Sequence, residues 1–400
     1  MLSFDEALAR LLVHAVRSPG EPVSLADAAG RVLVDPRVVA AVDVPAFDNS
    51  AMDGYAVRAA ETPGTLRVIG EVTAGMGQLP TVEAGTTVRI MTGAPIPPGS
   101  DAVVPIEEAE EADGRVALAG ARLGAHVRSA AHDTRAGDEI QLPGELTPPK
   151  IAVLASVGIG SVEVRRRPVV AVLSTGDELA GVGEVLGPHQ VHDANGVALA
   201  AAVREAGGEP LLLPRAPDDA AEIERVLVDA AARADLVVTS AGVSVGRHDH
   251  VRVVLEARGA LDFWRIAIQP GKPLAVGELD GTTVIGLPGN PVSALVVFEL
   301  FVRPFIRAML GLAGDGRLHV DAVSEGRIGK DTSRRAFLRV RVGRDGEVLR
   351  ARAAGGQLSS QLRPMADANA LLVVPEGSEA ADPGSIYEAI VLEPIALSGR

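Results

Sequence analysis

Short apolar runs alternate with amphipathic stretches through the middle of the chain. Residues 169–173, 236–238 and 283–285 form short apolar runs rich in β-branched residues, and 210–213 is a further apolar run. Apolar residues recur at helical spacing over 197–206, 220–232 and 251–257. Strands that are apolar throughout are typical of parallel strands buried on both faces. With a strand pair around 263–276 and a last apolar helix over 292–310, the alternation predicts a doubly wound α/β sheet.

The pattern before this region is different. Ser3 and Glu6 form a capping box ahead of apolar residues at helical spacing, which predicts an N-terminal amphipathic helix. A second short helix is expected after Ser24, ending at Gly30. Short β-like runs broken by Pro and Gly turns then predict a β-rich insert, followed by a helix near 149–157.

After Gly311 the β pattern returns, with a hairpin turn at Asp345-Gly346 and an apolar run over 371–374. Within the last apolar helix, Asn290 suits the N-cap and Pro304 predicts a kink. We therefore expect four regions: an N-terminal helical and linker domain formed by 1–45 and 143–168, a β-rich insert domain over 46–142, the α/β domain over 169–311, and a small C-terminal β domain over 312–400.

Composition limits the partners. The 400 residues carry 52 acidic and 38 basic side chains, a formal charge of -14, which argues against nucleic acid or an anionic membrane as the main partner. An anionic substrate would need local basic residues or a divalent cation. The absence of Cys excludes disulfides and thiolate sites. Because no stretch approaches the length of a membrane span, we expect a soluble cytoplasmic protein.

Three loops carry the candidate chemistry. Residues 174–178, 239–246 and 287–291 each follow a predicted parallel strand, so they should share the sheet edge where open α/β folds bind ligands. The 239–246 loop combines three hydroxyl side chains, two glycines and other small side chains before a helix, which favours anion binding by backbone amides. The alternative is a tight βα connection that needs glycine only for turning.

Carboxylates fall near the same edge. Glu178, Asp218 and Asp249 lie at predicted strand ends or helix starts, where an acidic cap stabilises a helix by about 0.5–2 kcal/mol. Beside a phosphate site they would repel the ligand unless Mg²⁺ bridged the two. We favour the metal interpretation for Glu178 and Asp249, and capping for Asp218. Lys272, between a glycine and a proline, is the best-placed local cation.

Six segments together resemble the molybdopterin molybdenumtransferase family, the bacterial MoeA proteins. They are residues 49–57, 89–94, 174–179, 242–246, 269–273 and 287–293, and the similarity covers essentially the whole chain. The resemblance implies insertion of molybdate into the dithiolene of adenylylated molybdopterin with release of AMP, assisted by Mg²⁺ or a similar divalent ion. It also implies a homodimer, a molybdopterin-binding type of α/β domain and a small C-terminal β-barrel.

The resemblance also implies site residues by matching position. The expected catalytic residues are Asp53, Thr92, Glu178, Asp218 and Asp249, with Glu178 and Asp249 as metal ligands. The expected substrate-binding residues are Ser240, Gly242, Ser244, Gly246, Pro288, Asn290 and Pro291. The expected molybdate-binding residues are Arg265, Gln269, Lys272, Ser293 and Arg339.

Four positions depart from the commonest family pattern. Gln269 replaces a frequent lysine, Ala241 replaces a glycine, Arg265 is lysine in some relatives, and Gly355 stands where some carry a serine. Gln269 can still donate a hydrogen bond but lacks the charge that roughly doubles its strength. Two alternative functions are a molybdopterin adenylyltransferase activity on a similar α/β domain and a non-catalytic scaffold.

Overall fold

A computed structural model describes residues 1–242, 250–258 and 260–395. The chain forms two compact units, one made of Met1–Pro19 and Arg165–Arg400 and the other of Gly20–Val164. Helix α1 (Phe4–Leu12) belongs to the first unit, and both reciprocal bonds of its Ser3–Glu6 capping box are present, so the predicted N-terminal helix is confirmed. None of the described helices is long and apolar enough to cross a membrane.

The unit Gly20–Val164 is built mainly of β-structure. Its elements are β1 (Gly20–Ser24), a 3-10 turn (Leu25–Asp27), β2 (Arg37–Val39), β3 (Asn49–Ser50), β4 (Gly54–Val57), a 3-10 turn (Ala59–Glu61), β5 (Gly64–Val72), β6 (Thr86–Ile90), β7 (Ala102–Pro105), a 3-10 turn (Ile106–Glu108), β8 (Ala109–Ala112), β9 (Arg115–Leu118), β10 (Val127–Arg128), β11 (Glu139–Gln141), α2 (Pro148–Ser156) and β12 (Ser161–Arg165). The main sheet has the order β7-β4-β6-β5-β9-β8, and only β5 and β6 run parallel.

The second predicted helix is wrong in extent. Only the 3-10 turn Leu25–Asp27 forms, because the Ser24 hydroxyl donates to the Asp27 carboxylate at 2.8 Å and makes no cap bond to the backbone. Gly30 then turns the chain with a φ of +71°, a backbone conformation that favours glycine.

The α/β region lies in the first unit. Its elements are β13 (Val169–Ser174), β14 (Leu179–Ala180), β15 (Val191–His192), α3 (Ala194–Glu205), β16 (Glu209–Leu212), α4 (Ala220–Arg233), β17 (Leu236–Ser240), α5 (His250–Arg258), β18 (Ala260–Trp264), β19 (Ile268–Gln269), β20 (Ala275–Leu279), β21 (Thr282–Leu287), α6 (Pro291–Val297), a π-helical segment (Phe298–Val302) and α7 (Arg303–Met309). The sheet order is β16-β13-β17-β21-β20-β18, with the first four strands parallel to one another and β20 antiparallel to both of its neighbours, β21 and β18.

Helices cover both faces of this sheet. Ala171, Leu173 and Val237 pack with α4 and α5 in one buried cluster. The alternate side chains, such as Val170 and Val172, are equally buried, and α3 contacts β13 and β16. The predicted α/β/α arrangement is therefore confirmed, since strands buried on both faces carry apolar residues at successive positions.

The predicted last helix is divided rather than continuous. The π-helical segment Phe298–Val302 separates α6 from α7, and Pro304 is the second residue of α7. Proline lacks a backbone N–H, so it is tolerated in the first turn of a helix but not in its interior. The π-segment lets a new helical turn begin at this point.

The C-terminal region is a closed barrel. Its elements are β22 (Leu318–Ser324), β23 (Ile328–Gly329), β24 (Arg335–Asp345), β25 (Val348–Ala353), α8 (Arg363–Asp367), β26 (Ala370–Val374), β27 (Ala380–Ala381) and β28 (Ile386–Val391). The order β24-β25-β22-β28-β26 closes because β26 also pairs with β24. The small C-terminal β-barrel is confirmed. Strand β19, from the α/β region, adds to β24 in parallel.

Candidate active site

A cleft of about 380 Å³ opens at the carboxyl edge of the parallel strands. Its walls are the loops after β13, β17 and β21. The last residues of these three strands are Ser174, Ser240 and Leu287, and they lie side by side across the sheet. The prediction that these loops share one edge is confirmed for their described residues. The lining residues are Thr175, Glu178, Leu179, Asn195, Ser240, Ala241, Gly242, Pro273, Pro288, Gly289 and Asn290.

The loop after β17 is a tight turn. Ala241 and Gly242 have φ values of +77° and +76°, in the left-handed region that L side chains rarely adopt. A Cβ on Gly242 would lie 2.7 Å from Val251 Cγ2, and one on Gly289 would lie 3.2 Å from Ala241 Cβ. Gly242 is therefore required where its loop meets α5, whereas a side chain at Gly289 would need Ala241 to shift by a few tenths of an ångström.

Asn195 connects two walls of the cleft. Its Nδ2 donates to Ser240 Oγ at 2.7 Å and to the carbonyl oxygen of Gly289 at 2.7 Å. Sequence reasoning missed this residue, because the predicted helix began at 197 whereas α3 begins at Ala194. The signal was the Asp193 cap, whose side chain accepts from the Gly196 N–H.

Glu178 is an exposed carboxylate in the lining of the cleft. Nearby, the N–H of Asp218 donates to Asp177 Oδ1 at 3.1 Å, which places Asp218 at the same edge. The capping interpretation of Asp218 is wrong, because Asp219 is the N-cap of α4 and its side chain accepts from the Glu222 N–H. The carboxylate of Asp218 is therefore not used in capping.

Three expected site residues, Ser244, Gly246 and Asp249, lie outside the described residues. Within residues 1–242, 250–258 and 260–395, no group of three or more His, Asp or Glu side chains is placed to hold a metal ion. Of the two expected metal ligands, the structure therefore locates Glu178 alone.

The loop after β21 leads into α6. Asn290 occupies the N-cap position and Pro291 the first helical position, as the sequence predicts. The Asn290 side chain makes no cap bond; its Nδ2 donates instead to Ser359 Oγ at 3.2 Å. Ser293 is buried in the first turn of α6, and Pro288 is buried in the cleft wall. Ser359 was not expected near the site, since nothing local links it to Asn290.

Arg339 is a fully buried arginine of β24, with 0 % exposure. Its Nη2 donates to the carbonyl oxygens of Gly356 at 2.8 Å and Leu358 at 3.3 Å, while Nε and Nη1 have no partner among the described residues. Burial lowers the pKa of this guanidinium. A buried cation with two open donors and no carboxylate beside it is suited to an anion.

Residues 355–359, which provide the hydrogen-bond partners of Arg339, also contact the cleft. The Gln357 side chain bonds both backbone groups of Arg339, at 3.0 Å each, and Ser359 contacts Asn290. Residues 355–359 thus connect the barrel arginine with the loop after β21.

The other expected molybdate ligands lie on the connection between β18 and β20. Arg265 is half-buried with a φ of +75°, and Lys272 is exposed while its carbonyl accepts from the Ile266 N–H at 3.0 Å. Gln269 Oε1 accepts from the Asp331 N–H at 2.8 Å, which leaves its Nε2 as the available donor.

Asp53 and Thr92 form a pair in the unit Gly20–Val164. Asp53 Oδ1 accepts from both the N–H and the hydroxyl of Thr92, at 2.7 Å each. The backbone bond, and then the hydroxyl bond, lower the pKa of Asp53. Gly54 is required beside it, because a Cβ there would lie 2.0 Å from the carbonyl oxygen of Val104.

Three family models match successive stretches of the chain: the MoeA N-terminal region (domain I and II) over residues 2–158, the probable molybdopterin binding domain over 171–308, and the MoeA C-terminal region (domain IV) over 321–392. Molybdopterin molybdenumtransferase 2 of Mycobacterium tuberculosis (strain ATCC 25618 / H37Rv) is 40 % identical over 372 residues, which cover 88 % of this chain and 90 % of that protein. The chain belongs to the MoeA family.

Other MoeA relatives agree. The molybdopterin molybdenumtransferase of Nostoc sp. (strain PCC 7120) is 39 % identical over 373 residues, covering 89 % of this chain and 85 % of the relative. Two crystal structures of the MoeA protein of Pyrococcus horikoshii align with TM-scores of 0.83 and 0.82 at 32 % and 29 % identity, covering 98 % of this chain and 100 % of theirs. The multidomain MoeA architecture therefore extends over the whole chain.

Proposed function

We propose that this MoeA-family chain is a molybdenum insertase, which transfers molybdate into the dithiolene of adenylylated molybdopterin and releases AMP. The observation that carries the proposal is Arg339, a fully buried cation of β24 with open donors and no acidic partner among the described residues. Residues 355–359, which bond to it, also contact Asn290 in the cleft wall. An anion that enters such a site gains charge-assisted hydrogen bonds without displacing an existing ion pair.

Each wall of the cleft has a part in this reaction. Ser240 and Gly242 offer hydroxyl and backbone donors to phosphate oxygens, and Pro288 and Asn290 line the cleft beside them. Pro291, the first residue of α6, is included as a substrate-binding residue on the family resemblance. Lys272 and Arg339, with Arg265, Gln269 and Ser293, would hold molybdate for attack by the dithiolene sulfurs. These contributions are binding and orientation rather than covalent catalysis.

A divalent ion is part of the proposal, and the residues fit one. Mg²⁺ is commonly held by one or two carboxylates together with substrate phosphates, and Glu178 is an exposed carboxylate in the cleft lining. Glu178 and Asp249 would hold it. When bound, the ion would neutralise phosphate oxygens and polarise the anhydride bond that is hydrolysed.

Two further elements complete the proposal. Asp53 and Asp218 are the remaining acidic residues with proposed catalytic roles. Asp53 is exposed, and the hydrogen bonds from the Thr92 N–H and hydroxyl lower its pKa. A homodimer is included because the family resemblance implies a site that a second subunit completes. Both elements are supported by the family resemblance.

The test follows AMP release from adenylylated molybdopterin by the purified protein with Mg²⁺, with and without molybdate. We expect release that depends on molybdate and falls at least about 100-fold in Arg339→Met, the scale of losing one charge-stabilising donor. Arg341→Met is the matched control, since Arg341 lies exposed on the same strand. Transfer of AMP from ATP to free molybdopterin would instead indicate the adenylyltransferase activity. If neither reaction occurs, a non-catalytic scaffold is the function that the result supports.

A further inference from the structure

The side-chain amide of Asn195 has a single possible orientation. Its Nδ2 lies 2.7 Å from the carbonyl oxygen of Gly289 and 2.7 Å from Ser240 Oγ. A carbonyl oxygen only accepts hydrogen bonds, so the end of the amide that faces it must be the NH₂ group. A flipped amide would place two acceptor oxygens against each other, and the orientation is therefore fixed chemically.

This orientation decides the role of the Ser240 hydroxyl. Ser240 Oγ accepts from Asn195, which leaves its O–H hydrogen as the group that can donate. Within the described part of the chain, no acceptor receives that hydrogen. Ser240 is 2 % exposed yet lines the cleft, so its hydrogen can be donated to an acceptor that occupies the cleft, such as a phosphate oxygen.

We propose that Asn195 is a positioning residue for anion binding, which holds the Ser240 hydroxyl as a hydrogen-bond donor to a phosphate group of the substrate. This role rests on the proposed function, which supplies the phosphate-bearing ligand. Asn195 lies outside the six segments that resemble the family, so the role adds a residue to the expected site. Hydrogen bonds to an ionised acceptor are about twice as strong as neutral ones, so a fixed donor favours phosphate over a neutral group.

A simpler structural role is also compatible with the contacts, and experiment separates the two. Asn195 could act only by clamping the loop of Gly289, independently of the Ser240 hydroxyl. A double-mutant cycle measures whether the two side chains act through one interaction or through two. Its four proteins are the wild type, Asn195→Ala, Ser240→Ala and the double variant.

The probe is inorganic pyrophosphate with Mg²⁺, titrated calorimetrically into each full-length protein. We expect each single variant to bind about tenfold more weakly, the scale of one hydrogen bond to a charged group. The double variant should also lose only about tenfold, because either substitution alone already removes the oriented Ser240 donor. A loss of about 100-fold in the double variant would overturn the role and leave only the clamp.

Two more variants sharpen the result. Asn195→Asp should bind pyrophosphate more weakly than Asn195→Ala, because a carboxylate would accept the Ser240 hydrogen and repel the anion. Val197→Ala, at a 52 % exposed position of the same helix, is the control and should stay within about twofold of the wild type. Equal binding by Asn195→Asp and the wild type would contradict the proposal.

The outcomes also distinguish this role from the proposed function. If the wild-type protein does not bind pyrophosphate, the phosphate site fails and the role of Asn195 fails with it. If the wild type binds and the losses are additive, only the role of Asn195 fails. Thermal unfolding of each variant identifies any that is not folded, and Asn195→Ser then replaces Asn195→Ala in the cycle.

Discussion

At the scale of single residues, Arg339 carries the least favourable placement for stability. A charge moved out of water loses hydration, and one without an ionised partner regains only part of it through carbonyl contacts. Arg339 has two carbonyl acceptors and no carboxylate among the described residues. Such an arrangement lowers the stability of the empty protein and favours a bound anion.

Arg339→Met should therefore leave the free energy of unfolding unchanged or raise it by up to about 2 kcal/mol, because replacing buried charge by an apolar side chain of similar length is often neutral or stabilising. Denaturant unfolding without ligand measures the change, with Arg341→Met as the exposed comparison. A decrease of more than about 1 kcal/mol would show that the carbonyl contacts outweigh the burial of charge.

Asp53 offers a direct measurement of its proposed ionised state. Because the Thr92 N–H is the larger cause of its lowered pKa and the hydroxyl the smaller, Thr92→Val should raise the pKa only part of the way to the ordinary aspartate value. A carbon-13 NMR titration of side-chain carboxyls measures it. The pKa of Asp35, lowered by Arg37, should not move. An unchanged Asp53 pKa would contradict the role assigned to the hydroxyl.

At the scale of elements, the sheet of the Gly20–Val164 unit depends on a glycine. A Cβ on Gly54 would lie 2.0 Å from the Val104 carbonyl oxygen, so Gly54→Ala must push β4 away from β7. We expect a loss of more than about 3 kcal/mol in unfolding free energy. Gly70→Ala, in β5 of the same sheet with no atom within 4 Å of the new Cβ, is the matched control.

An unfolding measurement by circular dichroism compares the two variants. Gly70→Ala should remain within about 1 kcal/mol of the wild type. Similar losses in both would mean that the close approach at Val104 relaxes easily, and that glycine is not required beside Asp53.

A histidine links elements of the barrel. His319 in β22 contacts Glu388 in β28 and Asp315 in the preceding loop, at 2.9 Å for Asp315. Burial lowers its pKa, but the side-chain bonds to Glu388 and Asp315 outweigh burial and raise it above the usual value. A raised pKa stabilises the fold below about pH 6.5, and this contribution is lost as the pH rises through the folded pKa.

His319→Asn should therefore lower the melting temperature at about pH 6 and have less effect at about pH 8.5. The effect should be small, because the side chain is 40 % exposed and its ion pairs are screened. Melting curves across this range test it, with His132→Asn, an exposed histidine, as the control. A melting-temperature difference between His319→Asn and the wild type that increases with pH would contradict this prediction.

Elements with local signals were predictable. The Ser3–Glu6 capping box and the Asp345-Gly346 turn depend on neighbours in sequence, and the structure contains both. The predicted start of α3 is too late although the Asp193 cap marks it locally. The role of Asn195 is harder to predict, because its bonds are with Ser240 and Gly289, which lie far along the chain. Contacts of this kind leave no local pattern.

At the scale of the whole molecule, net charge opposes anionic substrates. With a formal charge of -14, the protein repels an anion over roughly 30 Å at 0.01 M salt but only about 10 Å at 0.1 M. We therefore expect the association rate of pyrophosphate to rise several-fold between about 10 and 150 mM NaCl at constant Mg²⁺. Stopped-flow measurements test this, and a falling rate would show that the local cations dominate steering.

The sequence predicts the large-scale fold better than it predicts which residues are buried or come into contact at the site. The patterns of apolar and polar residues are sufficient to predict an α/β region and a C-terminal β domain, whereas the barrel was expected only from the family resemblance. A lone arginine in sequence is usually exposed, so the complete burial of Arg339 required the tertiary structure. The pairing of β19 with β24 could not be predicted either, because a strand of two residues is too short to show an alternating pattern of apolar and polar residues. The boundary at residues 311 and 312 stays a prediction.

That pairing has a mechanical consequence for Lys272. Gln269 is hydrogen-bonded into the barrel sheet and Ala275 into the α/β sheet, so the few residues between them form a tether anchored at both ends. Rotation of the barrel against the α/β sheet would pull on this tether and displace the ammonium group. The position of Lys272, one of the proposed molybdate-binding residues, would thus depend on the angle between the barrel and the α/β sheet.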